Sequence, residues 1–313
     1  MRIFNKKKKP GWLAMSTSEQ GTCVAHVLND GNKKPKVLLA AIEKESLKDN
    51  NDCKILAANL NLSERHCSLL LNNGEYQLIQ IEKPNVPNEE LKQATYWKLK
   101  DAIDYPIDQA TIDVINIPKD PSNNHRQANI YAATARNALI ADYMQRLVDC
   151  ADTDLEVIDI AELAQRNIAT YLEQENRGLA LLSLKESSGL LTFTSGGELY
   201  YSRSTDMGYM QIHNEVSSES KSASFERLSL DIQRSLDNFE RNVPYVSINR
   251  LVLAPFPGRE DFYDYLKTSL YVQVDRFDLP EIFDIDAVVD LGDLEFQAAI
   301  LPVLGAALRE AKS

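Results

Sequence analysis

The chain has 313 residues, of which 44% are hydrophobic and 26% charged, and its formal net charge is −12. This composition is ordinary for a globular protein of one to three domains. The acidic balance argues against a broad nucleic-acid surface, which needs clustered Lys and Arg. The basic run Lys6–Lys9 is interpreted as a solvated tail, with weak attraction to an anionic membrane surface as the alternative.

The sequence predicts no membrane span and no secretory signal. The longest apolar candidate, Phe296–Leu308, is interrupted by Gln297, Pro302 and Gly305, whereas a spanning helix needs about 20 apolar residues. The charged N-terminus lacks the apolar segment of a signal peptide, so a cytoplasmic protein is expected. No CxxC pair occurs, which predicts buried, reduced thiols at Cys23, Cys53, Cys67 and Cys150.

The first 82 residues predict a β-rich opening. Alternating apolar positions and turn signals indicate strands at Gly11–Met15, Thr22–Leu28, Val37–Ile42, His66–Leu71 and Tyr76–Ile81, with a short helix at Asn51–Leu60. The first three strands follow one another directly. They therefore predict a meander that opens a sheet.

A mixed α and β segment follows. A helix is predicted from Asn88, whose side chain is expected to cap it; Leu91, Thr95 and Leu99 form its apolar stripe, and Tyr105-Pro106 ends the pattern. Further elements are a hairpin, two helices and a strand, at Thr111–Ile117 with Gln127–Thr134, Ala135–Ala151, Leu155–Ile160 and Ala161–Gln174.

The stretch Arg177–Thr205 predicts three strands, Leu179–Leu184, Leu190–Thr194 and Glu198–Arg203, around a polar loop at Lys185–Gly189. Several nucleotide-binding domains present a loop to phosphate in this way. Beyond it, a Ser/Glu/Lys-rich loop at Asn214–Ser224 is followed by predicted elements at Phe225–Arg241 (helix), Ile248–Ala254 (strand), Asp261–Leu270 (helix), Tyr271–Val274 (strand) and Leu294–Ala311 (helix).

Several motifs resemble one known family. The helix LSLDIQRSLDNFE is similar to its EIQRSLDFF helix, and this is the most specific match. Four further segments match in order, namely ATYWKLKDAIDYPIDQATIDV, LEVIDIAELAQRNIA, LVLAPFPGREDFYDYLKTSLYVQVDRFD and AAILPVLGAALR. The chain thus resembles the PilM/FtsA-type actin-like family over nearly its whole length.

The resemblance implies an α/β, actin-like (ribonuclease H-like) fold of two lobes with an inserted α+β subdomain of the PilM/FtsA type. The expected division is a basic tail at 1–10, the first lobe at 11–75 and 153–177, the insert at 76–152, the second lobe at 178–293, and a closing C-terminal helix at 294–313.

The loops that bind nucleotide in the family are degenerate here. The first keeps Ser16 and Thr17 but has neither the Asp nor the Gly; the second, Ser183–Ser188, retains Lys185, Ser187 and Ser188 as polar groups; the third keeps only the Pro-Gly ending at Gly258. The missing acids would hold Mg²⁺ and the missing glycines would let the backbone approach phosphate. The sequence therefore predicts no ATP hydrolysis, no catalytic residues and no cofactor, with binding of ATP and Mg²⁺ left as the alternative.

No metal site is expected, because the four histidines are far apart and the acidic residues between Asp275 and Asp293 lack the spacing of a calcium loop. The aromatic residues of the insert, Tyr96, Trp97 and Tyr105 with Pro106, fit either core packing or a groove for a partner's peptide.

The resemblance implies a cytoplasmic scaffold for type IV pilus assembly that is peripheral to the inner membrane. Its expected partners are a bitopic inner-membrane protein of the PilN-like or MshJ-like kind and the pilus-assembly ATPase complex, with no nucleic acid and a possible homodimer. Two alternatives stay open: a divergent ATPase using Lys185 and Ser187, and a filament-forming cytoskeletal protein.

Overall fold

The strands form three sheets. The computed structural model describes residues 8–18, 21–31, 33–120, 127–213, 218–287 and 289–310. Within these residues the strands, labelled in chain order, are β1 Lys9–Ser18, β2 Gly21–Leu28, β3 Lys36–Glu43, β4 Arg65–Leu70, β5 Tyr76–Glu82, β6 Ala110–Asn116, β7 Asn129–Arg136, β8 Leu155–Asp159, β9 Gly178–Leu184, β10 Gly189–Ser195, β11 Glu198–Thr205, β12 Ile248–Leu253, β13 Gln273–Arg276 and β14 Asp284–Ile285.

Helices connect and cover these strands. In the described part of the chain they are α1 Asn50–Leu60, α2 Asn88–Leu99, α3 Asn137–Met144, α4 Ala161–Ala169, α5 Met210–His213, α6 Ser218–Asn242, α7 Arg259–Ser269, α8 Leu279–Ile282 and α9 Leu294–Ala307. Among the described residues no helix is both long and apolar enough to cross a membrane.

The two larger sheets repeat one topology. The six-stranded sheet has the order β14-β3-β2-β1-β4-β8, and the five-stranded sheet has the order β11-β10-β9-β12-β13. In each, a three-stranded antiparallel meander is extended by two parallel strands beyond its first strand. The predicted meanders at both places are confirmed, and so is the turn at Gly196-Gly197 between β10 and β11.

Helices α4 and α9 lie between the two larger sheets. One apolar cluster joins Trp12 and Ala14 of β1, Leu181 of β9, and the buried faces of α4 and α9. At Gly305 a Cβ atom would lie 2.2 Å from the carbonyl oxygen of Ala164, so only glycine permits this approach of α9 to α4. The apolar segment near the C-terminus is therefore a core helix.

The third sheet, in the order β5-β7-β6, carries α2 on one face. Leu91, Thr95 and Leu99 of α2 are buried, which confirms the predicted stripe. The helix α3 packs elsewhere: Tyr143 and Leu147 join the cluster that α1 forms on the six-stranded sheet. Residues 137–150 thus contribute to the core of the first sheet, although they follow the insert's last strand.

The helix predicted at 135–151 is confirmed at residues 137–150, where α3 continues into a π-helical turn at Gln145–Cys150. Three other details of the secondary-structure prediction were wrong. The N-cap of α2 is Pro87, so Asn88 is the first helical residue and caps nothing. Helix α6 begins at Ser218, within the stretch predicted as a loop, and α4 and α9 end earlier than predicted. Cys23, Cys53 and Cys67 are buried as predicted, whereas Cys150 is half-buried.

Candidate functional site

The loop Lys185–Ser188 between β9 and β10 is a closed turn. The backbone N–H of Lys185 donates to the carbonyl of Ser188 at 2.8 Å, and the N–H groups of Tyr209 and Met210 donate to the carbonyls of Lys185 and Glu186. A Cβ on Gly208 would lie 2.3 Å from both of those carbonyl oxygens. The segment after β11 therefore presses directly against the loop and holds its backbone in one conformation.

Lys185 points into the region between the two larger sheets. Its side chain lines a cavity with Glu162 of α4 and Leu301 of α9, and burial lowers the pKa of its ammonium group.

The side chain of Gln165 ties α4 to the five-stranded sheet. Its amide nitrogen donates to the carbonyls of Leu181 and Leu190 at 2.7 and 3.1 Å and to Thr192 Oγ1 at 3.0 Å, and its amide oxygen accepts from Ser183 Oγ at 2.5 Å. Ser183 is the residue at the position of the acid in the second loop of the PilM/FtsA-type pattern. Here its hydroxyl donates to Gln165 and so joins β9 to α4.

Two carboxylates of the same region, those of Asp159 and Glu162, are also bonded to other groups of the protein. Glu162 Oε2 accepts a hydrogen bond of 2.6 Å from the Tyr76 hydroxyl, and burial raises the pKa of both groups. Asp159 accepts from the N–H of Ile160 at 2.8 Å and pairs with Arg309 at 2.5 Å. Neither carboxylate faces open solvent, since both residues are about 95% buried or more.

A cavity of about 50 Å³ remains between these groups. Its polar lining comes from both halves of the molecule, and α9 closes it with Leu301 and Pro302; the polar residues include Glu162, Gln165, Ser183, Lys185 and Ser188. Such a volume holds a few water molecules and is well below the ~300 Å³ at which small-molecule sites begin.

The other loop residues lie outside the cavity lining. Ser16 is buried in the β1–β2 ladder, and Thr17 Oγ1 lies 3.4 Å from the hydroxyl of Tyr143, which donates to Glu75. Ser187 is exposed. Gly258 is the N-cap of α7 and lies against α5. Of the six predicted loop residues, the structure brings Lys185 and Ser188 to the cavity and leaves the other four apart from it.

The fold was compared with solved structures. A chain of a PilM–PilN type IV pilus biogenesis complex shares 17% identity with this chain, covering 94% of this chain and 98% of that one with a TM-score of 0.66. A Bacteroides thetaiotaomicron protein described as having an actin-like ATPase fold and unknown function shares 12% identity over 96% and 98% of the two chains, with a TM-score of 0.51. The chain has the actin-like fold.

A further structural neighbour is the cytoplasmic domain of EpsL, an inner-membrane component of the type II secretion system of Vibrio cholerae. It shares 10% identity over 96% of this chain and 95% of that one, with a TM-score of 0.50. Comparison of the sequence with protein-family models and with curated proteins found no match. At these identities the likeness establishes the fold alone.

The predicted partner-binding residues on the actin-like fold's insert differ in exposure. Trp97 is 68% exposed, and its ring meets that of Tyr96 edge-on with 5.5 Å between centroids. Tyr96 packs against the small core of the insert. Tyr105 is buried beneath the guanidinium of Arg136, and Pro106 is exposed. Trp97 and Pro106 are therefore available for contact, whereas the two tyrosines have a packing role.

A second cavity, of about 220 Å³, lies between the insert and the five-stranded sheet. Tyr245 donates to the carbonyl of Pro118 at 2.9 Å across this boundary. The lining is rich in aromatic and amide side chains, including Gln80, Ile117, Tyr200, Asn242 and Tyr245. The inserted unit thus leaves an amphipathic recess where it meets the second lobe.

Sequence reasoning missed Tyr76, Glu162 and Gln165. One signal was present: Glu162 and Gln165 are three residues apart in α4 and both are buried, so two polar groups lie on an apolar helix face. Buried polar groups need partners. That pattern indicated a polar contact between elements, although it could not identify Ser183 or Tyr76 as the partners.

Proposed function

We propose that this chain is a PilM-like scaffold of a type IV pilus assembly machine, of the MSHA type, and that it resembles the pilus biogenesis protein MshI. It acts at the cytoplasmic face of the inner membrane and binds the cytoplasmic segment of a bitopic, PilN-like partner. The observation that carries the proposal is the likeness to a chain of the PilM–PilN complex over nearly the full length of both chains. The family motifs in the sequence, above all LSLDIQRSLDNFE, support it independently.

The scaffold works without hydrolysing ATP. Three features of the cleft support this part of the proposal. The remaining cavity is small, Gln165 and Ser183 are bonded to each other across the cleft, and Glu162 beside them is held by the Tyr76 hydroxyl. A divergent ATPase would need that cleft to open by separating α4 from β9.

The partner's segment contacts the inserted unit. Exposed Trp97 offers a large amphipathic surface, of the kind that is enriched at protein interfaces. The recess beside Tyr200 and Tyr245 accepts apolar side chains and supplies amide and hydroxyl groups for the backbone of an extended segment. Both features flank the insert, so a short peptide is the class of ligand that fits.

The decisive experiment is recovery of the full chain from native membranes under mild detergent, followed by identification of the co-purified proteins. The expected result is co-purification of a bitopic protein of a pilus assembly operon. A synthetic peptide of that protein's cytoplasmic segment should then bind the chain in a titration. Absence of any such protein, or a partner from another pathway, would refute the proposal. Sedimentation at high concentration tests the alternative of a filament-forming protein, which predicts large polymers in the pellet.

A further inference from the structure

The turn between β4 and β5 contains the one Asn-Gly dipeptide of the sequence, Asn73-Gly74. The backbone N–H of Glu75 donates to the carbonyl of Asn72 at 3.0 Å and closes the turn around this pair. Both residues of the pair are exposed. Gly74 has a φ of +86°, and a Cβ atom built on it would have no neighbouring heavy atom within 4 Å. The pair therefore lies at the surface with free space around it.

This turn is the place where the chain leaves the first lobe and enters the inserted unit. Strand β4 lies inside the six-stranded sheet, whereas β5 is an outer strand of the three-stranded sheet. The Glu75 carboxylate accepts from the N–H of Asn72 and from the hydroxyl of Tyr143, both at 2.8 Å. Asn73 also lines the cavity of about 50 Å³ between the lobes. A chemical change at Asn73 would therefore act on this junction.

An asparagine that precedes a glycine can lose its side-chain amide without an enzyme. The backbone nitrogen of the glycine attacks Cγ of the asparagine and forms a new C–N bond, while the amide group and the N–H proton leave together as ammonia. A five-membered succinimide ring remains. Water then adds to either ring carbonyl and breaks its bond to the glycine nitrogen, which gives isoaspartate or aspartate. Glycine favours ring closure because it has no Cβ and adopts a wide range of backbone angles.

The attacking nitrogen of Gly74 is available for this reaction. The hydrogen bond that closes the turn uses the N–H of Glu75 and the carbonyl of Asn72, so neither reacting group takes part in it. Among the backbone-to-backbone hydrogen bonds of the turns and loops in the described residues, none has the Gly74 N–H as its donor. Ring closure at this turn therefore breaks none of those bonds.

The chain supplies a comparison at Asp30-Gly31, where the same ring closure would isomerise the aspartate. Gly31 resembles Gly74, with a φ of +75° and open space around it. Its N–H, however, donates to Oδ1 of Asn29 at 3.1 Å. Asn29 is buried, and its amide nitrogen donates to the carbonyl of Leu308 at 3.2 Å. The nitrogen that would attack Asp30 is thus held in place, whereas the one beside Asn73 is not.

We infer that Asn73 is a site of spontaneous deamidation in the folded protein, at which the neutral side chain becomes a carboxylate. In the isoaspartate product the backbone passes through the former side chain, which adds one carbon atom to the turn between β4 and β5. Either product brings a negative charge to a residue that lines the cavity between the lobes. The inference does not depend on the proposed role in pilus assembly, since it needs only this turn and water.

The test is tandem mass spectrometry of peptides from the full chain, after incubation for increasing times at physiological pH and temperature. Parallel samples in guanidinium chloride give the rates of both dipeptides in the unfolded chain. We expect native Asn73 to deamidate within tenfold of its unfolded rate. Asp30 should isomerise more than tenfold more slowly in the native protein than in the unfolded chain.

The matched control is Asn73→Gln, which keeps an uncharged amide at this exposed position but would need a six-membered ring to lose it. Isoelectric focusing of the aged wild type should show a more acidic form, and aged Asn73→Gln should lack it. A native Asn73 that stays intact while the unfolded chain reacts would overturn the inference, and so would equal protection of Asn73 and Asp30. An acidic form that appears as fast in Asn73→Gln would also overturn it, because another residue would then be the site.

Discussion

Ser183 Oγ donates a hydrogen bond to Gln165 Oε1 at 2.5 Å, and so joins β9 of the second lobe to α4 of the first. The same Gln165 side chain donates to the carbonyls of Leu181 and Leu190. These bonds occupy the space between α4 and the strands β9 and β10. A glutamine here holds the lobes together through the protein's own polar groups.

Substitution of Gln165 by Ala should destabilise the protein. It removes a buried side chain that satisfies polar atoms of two strands, and an unsatisfied buried polar group costs about 1–3 kcal/mol. Urea unfolding should show this loss. Gln93→Ala, at an exposed position of α2, is the control and should change the free energy of unfolding by less than about 0.5 kcal/mol; equal stability of the two variants would contradict the cross-link.

Substitution of Lys185 by Met should change how stability depends on pH. Burial lowers the pKa of Lys185 in the folded state, so the unfolded chain still holds this proton at pH values where the folded chain has released it. The free energy of unfolding of the wild type should therefore rise relative to Lys185→Met as the pH increases towards 10.5. The control is Lys54→Met, at an exposed position of α1. Its free energy of unfolding should change with pH in the same way as that of the wild type. A Lys185→Met curve parallel to the wild type would mean that the folded pKa is ordinary.

Mg-ATP should leave the melting temperature unchanged. A ligand present at 100 times its dissociation constant stabilises the native state by about 2.7 kcal/mol, which for a protein of this size is a shift of a few degrees. The cavity of about 50 Å³ gives no room for such a ligand. A saturable shift that is present in the wild type and lost in Lys185→Met would support the divergent ATPase instead.

Substitution of Trp97 by Ala should weaken partner binding and leave stability nearly unchanged. The side chain is 68% exposed, so its removal costs the fold little, whereas truncated aromatic anchors commonly cost an interface about 2 kcal/mol or more. Titration with the partner's cytoplasmic peptide measures the effect. The control is Tyr271→Ala, which removes an aromatic side chain that is 55% exposed on the second lobe and should bind the peptide as tightly as the wild type does. If Trp97→Ala also binds the peptide as tightly as the wild type, the partner contacts another surface.

Local patterns predicted most of the fold. The strands Leu179–Leu184 and Glu198–Arg203 follow from apolar runs and a Gly-Gly turn, and both are present. The start of α6 was missed because the Ser, Glu and Lys residues at its beginning are typical of a loop. The cap of α2 was missed because Asn88 has the right chemistry one position too late.

The cleft was harder to predict, since its contacts join residues far apart in the chain. Lys185 was predicted as a residue of the degenerate second loop, and it lines the cavity in the structure. The bonds from Tyr76 to Glu162 and from Gln165 to Ser183 span 86 and 18 residues. Such pairs depend on how two sheets and α4 pack, which periodicity does not encode.

The position of α9 has a consequence for synthesis of the protein. Its apolar face completes the core that begins with Trp12 and Ala14 of β1, so one face of the first sheet stays uncovered until residue 307 has left the ribosome. Domains usually fold in the order in which they emerge. Here the first strands to be translated must wait for the last helix, and during that interval the nascent chain exposes an apolar sheet face that a chaperone would bind.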